Sequence, residues 1–500
     1  MKAGGSLRVL HAAAEWFPLV KTGGLADVVS ALPVAQHDIG LKARLLLPAY
    51  PALREAMESA RVIVQCGPAF GAGRVTLLRG RLPGYPIPVY LIDAPWFFAR
   101  RGNPYLGPSG SEWPDNALRF ALLGWVAAQL AEGGLDPSWS PQILHAHDWH
   151  AALAPVYLAA HGAHAGTERR SRSVLTVHNL AYQGRFPVDG FAGLQLPDWM
   201  SGPAGIEFHG DLRFLKGGLI FADRITTVSP TYAREILTPA EGQQLEPVLQ
   251  HRAQALSGIV NGIDTGVWNP AADPAIATPY DAQHLEGKSA CKQALQVECG
   301  LEANPQAPLL TVVSRLTPQK GLDLLLGALG NWLALGGQVA LLGTGDAGLE
   351  QAWRAAAEAH PGRVAVRIGY DEAFAHRLIA GADLIGVPSR FEPCGLTQLY
   401  GLRYGTLPLV HRVGGLADTV VDADESALRE DRATGFAFDG ASSEALAGAL
   451  HRAHTLWQQP PAWQQIIRRA MAQDTSWQAP AARYADLYRT MLPSPEASQV

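Results

Sequence analysis

The sequence predicts an α/β protein built from doubly wound, mostly parallel sheets in two domains. Three observations point there. Short apolar runs alternate with longer amphipathic stretches along nearly the whole chain. Most of these runs are nearly continuous in Val, Ile, Leu and Ala, the pattern of strands buried on both faces. Several of them end in glycine-containing turns that lead into helix-like segments, which is the order of βαβ units.

In the first half the strand-like runs are residues 7–14, 44–49, 87–93, 142–147, 173–178 and 224–229. In the second half they are 309–315, 338–342, 364–369, 384–388 and 407–411. Between them lie helix-like segments at 24–38, 115–132, 151–161, 319–335, 347–359 and 371–381. Residues 236–308 separate the two sets and are rich in Pro, Gly, Gln and Ala. They hold a turn signal, Asn261-Gly262, and a helix breaker, Trp268-Asn269-Pro270. The boundary therefore falls near 262, giving an N-terminal domain of 1–262 and a C-terminal domain of 263–476, with a cleft between them as the expected ligand site. A last helix is expected from about 476, over 477–500 in the domain division. Ser476 is placed to cap it, and Tyr484, Leu487 and Tyr488 share one face. The tail from Pro493 is expected to fray.

Composition excludes several classes. Five hundred residues suit two to four domains, at roughly 100–200 residues each. A hydrophobic share of 48% against 17% charged rules out disorder as the dominant state. Forty basic against forty-five acidic side chains leave −5, so no broad cationic field invites nucleic acid. Cys66, Cys291, Cys299 and Cys394 include no CxxC pair, which argues against a disulfide framework, a zinc knuckle or a thioredoxin-type site. Glu15 and Trp16 interrupt the first apolar run, so it does not read as a signal peptide. No run reaches the roughly 20 residues of a membrane-spanning helix. The expectation is a reduced, soluble, cytoplasmic protein with neither nucleic-acid nor membrane partner; its oligomeric state is not written in the sequence.

Three turns could hold an anion. Lys21-Thr22-Gly23-Gly24 follows the first strand and opens a helix at about Leu25. Glycines admit close approach of backbone, free amides at a helix start favour negative charge, and Lys21 adds a full cation. Ser314 to Gly321 follows the first strand of the second half and carries Arg315 and Lys320, a pair suited to a diphosphate at the carboxyl end of a sheet. Ser389 to Thr397 follows the run 384–388. There Pro393 suits a first helical turn, and the amides of Gly395, Leu396 and Thr397 would face the ligand, with Glu392 just before them.

Other patterns are weaker. Gly343, Gly345 and Gly348 match GxGxxG, but residues 363–369 lack the acidic partner of a nicotinamide site. Gly287-Lys288-Ser289 resembles a P-loop tail with Ala282 where the leading Gly belongs. Asp422 and Asp424 could hold a divalent metal, but the stretch to Asp431 reads better as a solvated face. His145, His147 and His150 cluster with Asp148. His145 and His147 share a strand face, yet no further ligand set is apparent, so packing or substrate contact is the better reading. His178-Asn179, at another strand end, is better placed to meet a ligand.

Taken in series, the motifs resemble one family. Residues 21–28 (KTGGLADV), 145–150 (HAHDWH), 178–184 (HNLAYQG), 314–321 (SRLTPQKG) and 390–398 (RFEPCGLTQ) are similar to the signatures of the bacterial glycogen synthase and plant starch synthase family, in the right order and from about residue 7 to 490. The resemblance implies a GT-B fold, two Rossmann-like domains facing across a cleft, with the final helix crossing back onto the first. It implies a retaining hexosyltransferase that moves α-glucose from ADP-glucose to the non-reducing 4-OH of glycogen or another α-1,4-glucan, with no cofactor and no metal.

Carried over by motif, Arg315, Lys320 and the amides of Gly395, Leu396 and Thr397 would stabilise the departing ADP. Lys21, Gly23 and Gly24 would approach the donor phosphates. Glu392 would hold sugar hydroxyls and stabilise the ring, and His178 would bond the sugar or shield the reacting carbon. Asp148, Glu15, Asn261, Tyr370 and Cys394 match positions in or near the site. Two departures stand out. Tyr400 occupies the second position of a Glu-x7-Glu motif of related transferases, so no carboxylate is there for a ribose. Val413 replaces a usual Thr in residues 412–415. Cys394, read as lying at a helix start, could be an acidified thiol or a small packing residue. The alternatives are a nicotinamide oxidoreductase, resting on 343–348 alone, and a non-catalytic glucan-binding protein that keeps the fold.

Overall fold

The computed structural model describes residues 6–165 and 169–493. The chain divides into two units. One runs to Asn261 and resumes at Trp477; the other is Gly262–Ser476.

The strands of the first unit are β1 Arg8–Ala12, β2 Lys42–Pro48, β3 Glu58–Ala69, β4 Ala72–Arg81, β5 Val89–Asp93, β6 Ile143–His147, β7 Arg172–Val177, β8 Arg185–Pro187, β9 Glu207–Phe208, β10 Asp211–Arg213, β11 Arg224–Thr227 and β12 Leu256–Gly258. Nine of them form one sheet in the order β12-β11-β7-β6-β1-β2-β5-β4-β3. Pairing is parallel from β12 to β5, and β4 and β3 extend the edge antiparallel. A small antiparallel sheet, β8-β10-β9, stands apart.

The main sheet is buried on both faces, as its continuous apolar strands require. Leu10, Leu144 and Leu175 enter one core, while Val9, Ile143 and Val174 enter a second core with Tyr484 and Tyr488. Each such aliphatic side chain gains roughly 1.5–3 kcal/mol from full burial. The second core is closed by two helices, Gly24–Asp38 and Gln478–Thr490. The latter starts with Trp477 at its N-cap position, one residue after the expected Ser476 cap, and ends at Thr490 rather than reaching 500. Of the tail expected to fray, everything after Pro493 lies outside the described residues.

The second unit contains β13 Leu309–Val313, β14 Gln338–Gly343, β15 Val364–Ile368, β16 Leu384–Val387, β17 Leu407–His411 and β18 Phe436–Phe438. They form an all-parallel sheet in the order β15-β14-β13-β16-β17-β18. The order reverses direction at β13 and β16, so the turns after those two strands flank the switch point where an open α/β sheet binds ligands. Among the described residues, no helix is long and apolar enough to cross a membrane.

Candidate active site

In the first unit the turn after β1 is held from below by Glu15. Its carboxylate accepts the backbone N–H of Thr22 at 2.7 Å and of Gly23 at 3.3 Å, together with the hydroxyls of Thr22 and Tyr105. Glu15 is buried, so this is a carboxylate spent on shaping the 21–24 turn. The helix opens at Gly24, one residue before the expected Leu25. Lys21 Nζ lies 3.0 Å from Asp27 Oδ1, which holds the cation beside the turn.

A second turn follows β7. Asp148 Oδ1 accepts the backbone N–H of His178 at 2.7 Å. Asp148 adopts φ 55°, in the left-handed region that a short polar side chain tolerates best. Burial pushes its carboxyl up to about 7, against the lowering effect of the His178 and Asn179 amides.

The histidines form a larger group than the sequence reading found. His11 is the Cα partner of His145 across β1 and β6, and it joins His145 and His147 within 4.8 Å. The expectation that no further ligand set exists is therefore corrected. Period-two alternation puts His11 on the face of Val9, but only the register of β1 against β6 brings it to His145. All six ring nitrogens of these three residues are already engaged, by one another, Gln36, His178, Tyr488 and Thr176. That satisfaction favours a hydrogen-bonded cluster over a metal centre. Burial lowers the His11 ring to about 4 and His178 to about 3, and holds His145 and His147 well below the usual imidazole value. His150 stacks on Tyr105 and takes no part in the cluster.

In the second unit, Lys320 Nζ lies 2.5 Å from Glu392 Oε2, which also accepts Ser389 Oγ at 2.8 Å. Arg315 is exposed on the same turn after β13. Pro393 does not open a helix: the helix after β16 is Thr397–Tyr404, with Leu396 at the N-cap position. Cys394 is buried and lies before that helix, so its position is that of a packed residue and not a helix-start thiol. Gly395 adopts φ 72°, and a Cβ there would stand 2.3 Å from the Gln398 side chain, so this turn requires glycine. Gly415 N–H donates to the carbonyls of Glu392 and Pro393 at 3.1 Å each, which braces the segment from behind. Val413 occupies the N-cap position of the helix Gly414–Thr419 with no side-chain cap. Tyr400 is buried and stacks on Trp268 with ring centroids 3.7 Å apart. Tyr370 is 70% exposed after β15, its hydroxyl bonded to Glu372. Asn261 is buried at the end of the first unit's main segment, and its Oδ1 has no hydrogen-bond partner among the described residues.

The weaker patterns prove structural. Gly343 and Gly345 pack against the Ser314 and Leu316 carbonyls, where a Cβ would stand 2.1 and 2.3 Å away. Asp346 caps the following helix. Gly287 and Lys288 are buried within the helix Glu286–Glu298. Asp422 does not lie on a solvated face: it is buried and bonded to Arg412, Arg452 and the Ala437 amide, while Asp424 caps a helix.

A mostly parallel sheet in the first unit and an all-parallel sheet in the second, with a cation–carboxylate pair at the switch point of the second, are the parts of a glycosyltransferase of the GT-B class, to which the matches to known proteins assign the chain. The starch synthase catalytic domain model matches residues 8–251, and the glycosyl transferases group 1 model matches 300–470. Glycogen synthase of Leptothrix cholodnii is 54% identical over 97% of this chain and 99% of its own. That of Yersinia enterocolitica is 53% identical over 97% and 100%. The catalytic domain of starch synthase IV from Arabidopsis thaliana, bound to ADP and acarbose, superimposes with a TM-score of 0.87 at 32% identity, over 97% of this chain and 99% of that one. The chain belongs to the glycogen synthase and starch synthase family.

Proposed function

We propose that this glycosyltransferase is a glycogen synthase that moves α-glucose from ADP-glucose to the non-reducing 4-OH of an α-1,4-glucan, with retention. In the reaction the C1–O bond to the diphosphate breaks, a C1–O4 bond to the acceptor forms, and the acceptor proton leaves with ADP. Negative charge grows on the departing diphosphate, and preorganised donors aimed at it are the main catalytic lever.

The observation that carries this reading is the Lys320–Glu392 pair beside the glycine-dependent turn at Gly395. Lys320 and Arg315, with the amides of Gly395, Leu396 and Thr397, would take the diphosphate. Glu392 would face the sugar ring as positive character develops there. Tyr370 offers an exposed aromatic face for the nucleobase, and the unpaired Asn261 oxygen can accept a hydroxyl. Lys21, Gly23 and Gly24 would meet donor phosphate. Glu15 and Asp148, whose carboxylates are occupied by the turns they hold, fit positioning roles. Cys394 fits packing beside the sugar. The ADP in the starch synthase IV structure and the names of the relatives support the donor and the acceptor.

Incorporation of labelled glucose into glycogen, with ADP-glucose and UDP-glucose compared side by side, tests the reading. Transfer favouring ADP-glucose is expected. No incorporation by folded protein, or faster transfer from UDP-glucose, would overturn it.

A further inference from the structure

The buried histidines form an ordered chain that ends at His178, and its far end is a single amide. We propose that Gln36, held by Tyr488, is a positioning residue that sets which ring nitrogen of His178 carries the proton, acting through His11 and His147. The proposal rests on the glucosyl-transfer reading, in which His178 meets the sugar.

The protons can be followed bond by bond. Gln36 Nε2 donates to Tyr488 Oη at 3.0 Å, so its amide oxygen faces His11. His11 Nε2, 2.8 Å from that oxygen, must then carry a proton. A neutral imidazole carries only one, so His11 Nδ1 is an acceptor. It takes the Nε2–H of His147 at 3.0 Å. By the same rule His147 Nδ1 is bare and takes the Nε2–H of His178 at 3.0 Å. His178 is left protonated on Nε2 and bare at Nδ1, which has no partner among the described residues.

The other branch points the same way. Tyr488 Oη donates to His145 Nδ1 at 2.7 Å, His145 Nε2 donates to Thr176 Oγ1 at 2.5 Å, and Thr176 meets Thr226 at 2.6 Å. Every bond in the run shares one polarity, and reversing the amide reverses all of them, the cooperative behaviour of a buried chain. The run stays neutral because burial disfavours imidazolium throughout it. With the amide as it stands, His178 offers a lone pair that accepts a sugar hydroxyl. With the amide reversed it would offer an N–H instead. One glutamine thus decides whether a residue at the site is an acceptor or a donor.

The test is nitrogen NMR of the full chain carrying ring-labelled histidine, without substrate, paired with steady-state kinetics. The expected wild-type spectrum shows His178 protonated on Nε2 and bare on Nδ1. In Gln36→Met both tautomers should be present, and kcat should fall about fivefold, the worth of one ordinary hydrogen bond, with KM for ADP-glucose little changed. Should that variant fail to fold, Tyr488→Phe frees the amide and is read in the same way. A wild-type His178 bare on Nε2, or an unchanged tautomer in a folded Gln36→Met or Tyr488→Phe chain, overturns the proposal. Absence of glucose transfer by wild type would instead sink the functional reading, because the spectrum does not depend on turnover.

Discussion

Lys320 and Glu392 are ion-paired at 2.5 Å across the turns that follow β13 and β16, two neighbouring strands of one parallel sheet. The pair is largely buried, and Ser389 shares the same carboxylate oxygen. Before any ligand arrives, the cation of the proposed diphosphate site is thus balanced by the carboxylate of the proposed sugar site. Replacing Lys320 with Ala removes the cation and leaves Glu392 without its charge partner. Transfer should fall at least about tenfold, roughly 1.4 kcal/mol of transition-state stabilisation. Labelled-glucose incorporation checks this, and wild-type turnover would refute the assignment.

Glu15 is expected to act through the turn it holds. Glu15→Ala removes the acceptor for the Thr22 and Gly23 amides, so the 21–24 turn should loosen. Transfer should fall by about tenfold, the loss of one or two charge-assisted hydrogen bonds. Glu15→Gln, which keeps an acceptor oxygen, should recover part of it. Steady-state rates of the two variants make the comparison.

Acid should destabilise the first unit, beginning near the ordinary histidine value. His11 and His178 titrate near 4 and 3 when folded, against 6.5 in the unfolded chain. As pH falls from about 6.5, the unfolded state takes up protons that the folded state refuses, and stability drops. Asp148 works in the opposite sense. Its folded value of about 7 exceeds 3.8, so the folded state binds the extra proton and gains stability as pH falls through that window. Asp148→Asn should therefore steepen the acid loss and raise stability above pH 7. Thermal unfolding midpoints between about pH 5 and 8.5 measure both effects, over the window set by these shifts.

Val413→Thr should stabilise the second unit. Position 413 has extended backbone at a helix N-cap and lacks a capping hydroxyl. A threonine there should add about 1 kcal/mol, read as a higher unfolding midpoint.

Chelators should leave the transfer rate unchanged. Asp422 and Asp424, whose spacing suits a divalent ion, are occupied by arginines and a helix cap. A rate that falls with a chelator and returns with added divalent ion would reverse this.

The parallel strands were legible because burial on both faces leaves uninterrupted aliphatic runs, as in β1 and β13. The hairpin β3–β4 was not, because β3 is mostly exposed and its pairing is broken by register shifts. Strands of two or three residues, such as β9, carry too little pattern to read. The helix Glu286–Glu298 was hidden for another reason. Its buried face includes Lys288, Lys292 and Gln296, so no apolar stripe marks it. Lys288 is satisfied by the Ala380 carbonyl and Thr406, and Lys292 pairs with Asp383. Around the candidate site, glycine turns and cations showed themselves through residue type. His11 did not, since only the register of β1 against β6 brings it to His145. Glu15 was visible as a residue, but its hold on the turn depends on folding back over Thr22.

The return of the Gln478–Thr490 helix to the first unit reverses the order in which a nascent chain can mature. Gly262–Ser476 is contiguous and can close as soon as it has emerged from the ribosome. The earlier-synthesised unit has the Gly24–Asp38 helix to cover part of the face formed by Val9, Ile143 and Val174, but that core stays incomplete until Tyr484 and Tyr488 arrive. During translation that waiting surface is the aggregation-prone stage of the molecule's life, and a stop codon just before Gln478 would make the stage permanent.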